Sequence, residues 1–255
     1  MERTIRKKLL EIEQAEGVRI LLAVESGSRA WGFASPDSDY DVRFIYARDV
    51  DFYLRLDKTR DVIEWQLDET FDINGWDARK ALGLIASSNP TVFEWMTSEI
   101  VYRTSAEFAE WRNIFLRDYF SPRTSLYHYL NMARNNGGEF LQTLGSVRYK
   151  KYLYALRAML AAKWVACELT QPPIAFADLV EAQLDAKLVP LVEDLVAQKK
   201  NSSEMGKGPA IRPLNGYIED TLAELYRYAD EVPAVDGRDW VELNRAFQKF
   251  ATQTS

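Results

Sequence analysis

The sequence predicts an α/β (α+β) fold, in which a mixed β-sheet flanked by helices is followed by an all-helical C-terminal domain. Short apolar and β-branched runs, typical of strands, lie in the first half of the chain. From about residue 123 onward the apolar residues recur with helical spacing. A chain of 255 residues is long for one compact domain, so we expect two, at residues 1–118 and 119–255. The Ser121-Pro122 dipeptide supports this boundary, because a residue before proline leaves helical backbone.

The first domain is predicted to begin with an amphipathic helix and to contain five strands. The strands are expected at residues 18–25, 40–47, 61–67, 69–73 and 100–103. Helices are expected at residues 75–86 and 105–118, with Asn74 as the N-cap of the first of them. In the second domain we expect helices that include residues 178–195, 214–229 and 237–251, and a connecting loop at residues 201–209.

A turn with two glycines follows the first strand. Gly27 and Gly32 bracket Ser28 and Arg29. Glycine lets the backbone approach an anion closely, and successive backbone N–H groups in such a turn bind phosphate oxygens. Ser28 adds a hydroxyl donor and Arg29 adds a guanidinium. The turn therefore indicates phosphate binding.

Two aspartates, Asp39 and Asp41, open the next predicted strand. Residues two apart on a strand point to the same side, where two negative charges repel each other unless a cation lies between them. Carboxylates are ligands that Mg²⁺ prefers, and Mn²⁺ binds similar sites. A glycine-serine turn ten residues before such a pair can hold a nucleoside triphosphate with its metal ions. The combination predicts nucleotidyl transfer.

The string GSRAWGFASPDSDYDV, residues 27–42, resembles the signature of the DNA polymerase beta nucleotidyltransferase superfamily. The fuller pattern, with SRAWGF and SDYDVRFIY, is similar to the small bacterial and phage branch named for RNA-repair gene neighbourhoods. The stretches FDINGWDARKAL, SNPTVFEWM and KKYLYALRAMLAAKW extend the resemblance over most of residues 18–175. It implies the minimal nucleotidyltransferase fold and transfer of a nucleoside monophosphate from an NTP to a hydroxyl, with Mg²⁺ or Mn²⁺ as cofactor.

The superfamily also has a third carboxylate on a later strand, and Asp72 matches it best. Asp72 lies between two apolar residues, where a charge needs a reason. The resemblance implies that Asp39, Asp41 and Asp72 hold the metal, and that Asp72 orients or deprotonates the acceptor hydroxyl. Glu64 and Asp68 are the alternatives for the third acid.

A positive segment lies inside a chain whose formal net charge is −6. Residues 121–163 carry a formal charge of +6, with aromatic residues interleaved. This combination suits contact with nucleic-acid phosphates and stacking on bases. The helical periodicity of residues 151–164 predicts, in contrast, that most of these aromatic residues form core.

In related two-domain nucleotidyltransferases, a helical second domain supplies cations for the nucleotide phosphates. The resemblance therefore implies phosphate contacts from Lys150, Lys151 and Arg157. Tyr154 is expected to stack on the base. Lys150 and Arg157, seven residues apart, are expected on one helical face.

The acceptor is less well specified than the nucleotide. The RNA-repair resemblance and the positive segment favour an RNA or tRNA 3′ end. A protein or small-molecule hydroxyl, as in NMPylation or aminoglycoside modification, is the alternative. The acids available to line a pocket for a cationic substrate are Asp61, Glu64, Asp68, Glu69 and Asp77. A non-catalytic, antitoxin-like partner on the same fold is a further alternative, which the intact Asp-x-Asp pair disfavours.

Arg123 and His128, the single histidine, have an Arg-x4-His spacing. This spacing occurs in the ribonuclease site of a small helical family. Side chains five apart on a straight helix do not converge, so a hydrogen-bonded histidine near the domain junction is the alternative interpretation.

The remaining composition restricts location and redox chemistry. No apolar run approaches the ~20 residues that span a bilayer, so no membrane association is expected. The N-terminus lacks a secretory apolar region, which predicts a cytoplasmic protein. The single cysteine, Cys167, cannot form an internal disulfide, and its apolar neighbours predict a buried helical thiol. The sequence does not specify an oligomeric state.

Overall fold

The computed structural model describes residues 1–141, 146–201, 206–235 and 239–252. The chain forms two compact units. The first unit comprises Met1–Ala30, Asp39–Phe120 and the C-terminal helix. The second comprises Trp31–Ser38 and the chain from Ser121 to Val235.

A five-stranded mixed sheet forms the centre of the first unit and confirms the predicted fold class. Its strands are β1 (Arg19–Glu25), β2 (Tyr40–Ala47), β3 (Val62–Leu67), β4 (Phe71–Asp77) and β5 (Val101–Thr104). Their spatial order is β3-β4-β2-β1-β5. Strands β2 and β4 are parallel, whereas the other neighbours are antiparallel.

Of the described helices, six accompany this sheet before residue 121. They are α1 (Glu2–Glu16), α2 (Gly27–Ala30), α3 (Val50–Tyr53), α4 (Ala78–Ala86), α5 (Pro90–Thr97) and α6 (Ala106–Asp118). Helix α1 is amphipathic, and its buried residues Ile5, Leu9 and Ile12 form a hydrophobic cluster with Phe44 and other residues of the sheet. The helix ends at Gly17, which adopts left-handed backbone.

Strand β4 extends to Asp77, four residues beyond the predicted end. Gly75 permits this because its backbone lies against the Phe44 ring, where a Cβ would come within 2.2 Å of a ring carbon. Pairing with β2 therefore continues along the whole strand. The prediction of Asn74 as an N-cap is wrong: Asp77 caps α4 by accepting a hydrogen bond from the Arg79 backbone N–H at 2.8 Å.

The second unit is mainly helical, with one short β-ribbon. Its helices are α7 (Pro122–Leu141), α8 (Lys150–Glu168), α9 (Phe176–Gln183), α10 (Val189–Asn201) and α11 (Arg212–Tyr228). Helix α8 is buried on most sides because the other four pack around it. Strands β6 (Ser146–Arg148) and β7 (Lys207–Pro209) form the ribbon, which the sequence did not predict.

The two units differ from the predicted domains in two places, although both divisions fall near residue 120. The last helix, α12 (Trp240–Thr252), belongs to the first unit. Its apolar face packs there, with the Phe250 ring stacked on Phe108 at 6.0 Å between centroids. Residues Trp31–Ser38 belong to the second unit.

Two smaller predictions concern residues that are only partly described, and a third, on Cys167, is wrong. Residues 202–205 of the predicted loop and 237–238 of the predicted last helix lie outside the described residues. Cys167 is exposed, not buried, because it lies at the end of α8, where the chain leaves the core. Within the described part of the chain, every helix is too short or too polar to cross a bilayer.

Candidate active site

Asp41 and Asp72 lie side by side on the two parallel strands of the sheet. Asp41 is the Cα partner of Asp72 in the register of β2 and β4, and partners in a parallel pair project from the same face. Glu64 is exposed on β3. Asp68 accepts hydrogen bonds from the backbone N–H groups that close the β3–β4 turn. The strand register thus places Asp72 beside Asp41, whereas Glu64 is the register partner of Asn74 and Asp68 lies in the turn.

Arg43 links these two carboxylates. Its Nη2 donates to Asp41 Oδ1 at 2.9 Å and to Asp72 Oδ2 at 2.6 Å. Its Nη1 donates to the Asp72 backbone carbonyl at 2.8 Å. Such charge-assisted hydrogen bonds are stronger than neutral ones. Sequence reasoning missed Arg43, although its position two residues after Asp41 on a strand places it on the same face.

The turn before these residues fits closely against Asp41. Gly27 has φ +59°, and a Cβ on it would lie 1.9 Å from Asp41 Oδ2. Glycine is therefore required at this position both for its backbone conformation and for the space that the carboxylate fills. The Ser26 backbone N–H also donates to the Asp41 carbonyl at 2.9 Å.

Ser28 and Arg29 form part of the short helix α2. Ser28 is buried, with 6% of its surface exposed. The Arg29 Nε donates to the Asp39 carbonyl at 3.0 Å, and the guanidinium lies over the Tyr40 ring, 3.8 Å from its centroid. Arg29 thus holds the chain where Asp39 enters β2.

Glu25, at the end of β1, is a buried carboxylate that sequence reasoning missed. It is 1% exposed; its Oε1 accepts the Asp41 backbone N–H at 3.0 Å, and its Oε2 accepts the Tyr102 hydroxyl at 2.5 Å. Burial raises the pKa of Glu25 to about 7, while the hydrogen bonds from Tyr102 and the Asp41 backbone oppose that rise. A charged residue that closes an apolar strand directly before the glycine turn is the signal that could have identified it.

The environment of Asp41 disfavours its negative charge. Burial raises its pKa from 3.8 to about 6. Arg43 opposes this rise, whereas the nearby charges of Asp39 and Asp72 add to it. Burial therefore outweighs the stabilisation that Arg43 gives to the Asp41 carboxylate.

The ligand chemistry of the three aspartates fits a divalent cation, because Mg²⁺ and Mn²⁺ prefer carboxylate oxygens. Among the residues that the structure describes, however, no three Asp, Glu, His or Cys side chains are grouped as ligands for one ion. Arg43 instead supplies the positive charge that Asp41 and Asp72 share. A guanidinium thus lies directly beside the carboxylates of Asp41 and Asp72.

The four residues predicted on α8 differ in exposure. Lys150 is exposed, and Lys151 is half-buried. Tyr154 is also half-buried, and its ring lies 5.5 Å from that of Trp31. Arg157 is only 2% exposed. Lys150 is therefore open to solvent and Arg157 is enclosed, although their spacing of seven residues places both on one face of the helix.

Arg123 has structural contacts within the second unit. Its Nε donates to the Val232 carbonyl at 2.6 Å, and its Nη2 donates to the Asp230 carbonyl at 2.8 Å. The His128 ring packs edge-to-face against Tyr129, with 6.1 Å between centroids. These contacts give Arg123 a role in holding the chain that follows α11.

Residues 1–249 match the family RlaP, described as the RNA repair pathway DNA polymerase beta family. The chain belongs to this family. The match confirms the resemblance and extends it beyond residue 175, into the last helix. Membership makes the chain a nucleotidyltransferase-like protein of the DNA polymerase beta type.

Two further comparisons describe what this member of the RlaP family is similar to. The uncharacterized protein YcgL of Bacillus subtilis (strain 168) is 41% identical over 246 residues, which cover 96% of this chain and 94% of YcgL. A nucleotidyltransferase-like protein from Exiguobacterium sibiricum, whose crystal structure is known, is 12% identical in sequence to this chain. That match covers 96% of this chain and 78% of the other, and with a TM-score of 0.32 it carries no conclusion about the site.

Proposed function

We propose that this protein is a metal-dependent nucleotidyltransferase that moves a nucleoside monophosphate from an NTP to the 3′-hydroxyl of an RNA, such as a tRNA end. One observation carries the proposal. Asp41 and Asp72 are register partners on parallel strands, and the glycine turn at Gly27 lies against the Asp41 carboxylate. Carboxylates and a phosphate-binding turn are the two parts that this chemistry needs.

Each residue of the site has a proposed role. Asp39, Asp41 and Asp72 would hold Mg²⁺, or Mn²⁺, which stabilises the charge on the attacking and leaving oxygens. Asp72 would also orient the acceptor hydroxyl and take its proton. The backbone at Gly27 and Ser28 would hold the triphosphate.

Cationic side chains would assist at the phosphates. Arg29, which lies in the same turn, would add its guanidinium charge at the phosphates. Lys150 and Lys151 stay predicted phosphate contacts, since their side chains are exposed and half-buried respectively. Burial of Arg157 argues against the same role for that residue.

An exposed basic surface on the second unit supports an RNA acceptor. Arg148 and Lys207 are Cα partners across the β6–β7 ribbon, and both are exposed. Like charges directly opposite each other destabilise a ribbon unless an anion lies nearby. Lys150 and Arg212, also exposed, begin the helices that follow the two strands. We call these four residues the ribbon surface.

The described segments that carry the ribbon surface contain no acidic residue. Residues 146–167 and 206–218 contain none. This contrasts with the acidic chain as a whole, whose formal net charge is −6. A local positive surface on an acidic protein suits a polyanionic partner and phosphate contacts.

Three of the five acids that could line a pocket for a cationic small molecule are used in other contacts. Asp77 caps α4. Asp61 pairs with Lys80 at 3.3 Å, and Asp68 closes the β3–β4 turn. These contacts favour RNA over an aminoglycoside-type acceptor.

Labelled nucleotides test the reaction. Purified protein with MgCl₂ and each α-labelled NTP is incubated with an RNA pool, a protein pool and a metabolite pool. We expect label on RNA. The D41N and D72N variants should lose transfer by at least about 100-fold, because each removes a ligand charge. Asp57→Asn, at an exposed acid that pairs with Arg55, is the matched control and should retain activity.

The distribution of label decides between acceptors. Label that appears only on protein or on a small molecule would contradict an RNA acceptor and support the alternative nucleotidyltransferase. NTP binding without turnover on any pool would favour a non-catalytic, antitoxin-like role.

Charge reversal tests the ribbon surface. The double variant R148E/K207E should lower affinity for a short RNA by at least about tenfold at low salt, since each phosphate contact contributes to a salt-dependent term. The control K58E/R60E makes the same charge change at two exposed residues of the first unit. Equal RNA affinity of the two double variants would contradict the assignment.

A further inference from the structure

The segment Trp31–Ser38, which separates the glycine turn from Asp39, packs within the second unit. Its Trp31 and Phe33 rings lie 5.7 Å apart. Phe33 is 1% exposed and packs edge-to-face against Phe176 at 5.4 Å. The loop inside the signature motif is thus an anchored segment with its own aromatic core.

Two residues of α8 contact this segment. The Arg157 guanidinium lies over the Trp31 ring, 4.2 Å from its centroid. The Tyr154 ring meets Trp31 at 5.5 Å and Phe33 at 6.1 Å, edge-to-face in both pairs. Arg157 is 2% exposed, and burying a charge is costly unless the surroundings compensate. A buried guanidinium on an indole ring is therefore a specific contact of the loop.

Polar contacts anchor the same segment. The Phe176 backbone N–H donates to the Trp31 carbonyl at 3.0 Å. Lys199 Nζ donates to Ser35 Oγ at 2.9 Å. The loop is closed by Ser35 and Ser38, whose hydroxyls are 2.9 Å apart and whose backbones bond at 3.1 Å. Aromatic and polar contacts therefore reach both halves of the segment.

The ends of the segment are continuous with the site. Arg29 and Ala30 precede it, and Asp39 follows it directly. Only eight residues join the two ends, and Gly32 makes the sharp turn at φ +84°. Asp39 lies just outside β2, with its carbonyl held by the Arg29 Nε, so a change in the conformation of this short loop would reach Asp39 along the chain.

We propose that Arg157 and Tyr154 are positioning residues for the site: they hold the segment 31–38 in one conformation and thereby fix Asp39. The expected effect on catalysis rests on the proposed function. The expected effect on the conformation of segment 31–38 does not. The inference replaces the expectation that these two side chains contact the nucleotide. In place of that contact, Arg157 and Tyr154 would act on Asp39 through the motif loop.

Hydrogen exchange of the full-length protein without nucleotide tests the structural part. In R157M, amides of the peptide covering residues 31–41 should exchange at least tenfold faster, while peptides of the β-sheet keep their rates. R157K should restore part of the protection, because an ammonium also binds an indole face. R123M is the matched control, since Arg123 is another arginine of the same unit and its contacts are with Asp230 and Val232.

Steady-state kinetics test the catalytic part. A positioning role predicts that R157M and Y154L lower kcat at least tenfold with KM for NTP changed less than twofold. A direct phosphate ligand would raise KM and leave exchange of residues 31–41 unchanged, and that result would overturn the proposal. Should R157M fail to fold, Y154L supplies both measurements. If no acceptor is ever labelled, the proposed function fails, but exchange still decides whether these residues hold the loop.

Discussion

The carboxylate of Asp41 fills the space in which a side chain on Gly27 would begin, since a Cβ there would lie 1.9 Å from Asp41 Oδ2. Gly27→Ala should therefore displace Asp41 as well as strain the backbone. Gly17→Ala is a matched control, because its φ of +60° is nearly the same and no atom lies within 4 Å of its Cβ. We expect G17A to lower the free energy of unfolding by about 1–2 kcal/mol. G27A should cost more and abolish nucleotide transfer. Urea unfolding measures the loss of stability, and the labelled-NTP assay measures the loss of transfer. Equal stability and equal transfer in G17A and G27A would refute the close packing of Gly27 against Asp41.

Arg43 should neutralise part of the negative charge of Asp41 and Asp72, as a bound divalent cation would. Arg43→Gln should lower stability without metal by about 2–3 kcal/mol, because charged hydrogen bonds are lost and the acids repel each other. Saturating MgCl₂ or MnCl₂ should then raise the melting temperature of R43Q more than that of the wild type. Identical cation-induced shifts in both proteins would show that Arg43 does not balance the metal carboxylates.

Glu25 should act by holding the Asp41 backbone. Glu25→Gln keeps an acceptor for the Asp41 N–H, whereas Glu25→Ala removes it. We expect E25A to reduce transfer much more than E25Q. Tyr102→Phe, which deletes the hydroxyl donor, should cost about 1 kcal/mol of stability. Equal loss of transfer in E25A and E25Q would indicate that the charge of Glu25 is what matters.

Asp77, which is not part of the candidate site, should make the free energy of unfolding depend on pH. Burial raises the pKa of Asp77, against the opposing hydrogen bonds from the Arg79 backbone and the Tyr53 hydroxyl. The folded state therefore binds a proton more tightly than the unfolded state. This contribution to stability is present at low pH and is lost as pH rises through the folded-state pKa.

Asp77→Asn isolates this effect, because asparagine is also a good N-cap but does not titrate. The stability of D77N relative to the wild type should rise with pH through the titration of the carboxyl group. Urea unfolding of both proteins between pH 4 and pH 7 measures the difference. A difference that is constant, or that falls as pH rises, contradicts the raised pKa.

Local sequence pattern predicted the five strands of the sheet because their apolar runs and turns are encoded by nearby residues. It ended β4 early at Asn74 and Gly75, since these two residues normally break a strand. The extension depends on the Phe44 ring, which needs a residue without a side chain on the neighbouring strand. That requirement comes from a residue about thirty positions away and is not visible in local propensity.

In the candidate site, too, local spacing predicted some residues, whereas others depend on contacts with distant strands. Asp39 and Asp41 were predicted from a spacing of two residues, which is a local property of the sequence, although β2 itself begins at Tyr40. Asp72 required a family resemblance, since no local rule distinguishes it from Glu64 or Asp68. Arg43 and Glu25 were missed, because a single arginine or glutamate in a strand is ordinary until its partners on other strands are known.

By itself, the sequence determined the family, the mixed sheet and the order of glycine turn and acidic pair, since each is written in short-range spacing. Tertiary structure alone decided that a buried arginine of the second unit lies on the motif loop and that a guanidinium links two of the acids. It also assigned the last helix to the first unit. These facts depend on contacts between residues far apart in the chain, which arise only when burial of apolar surface brings distant segments together.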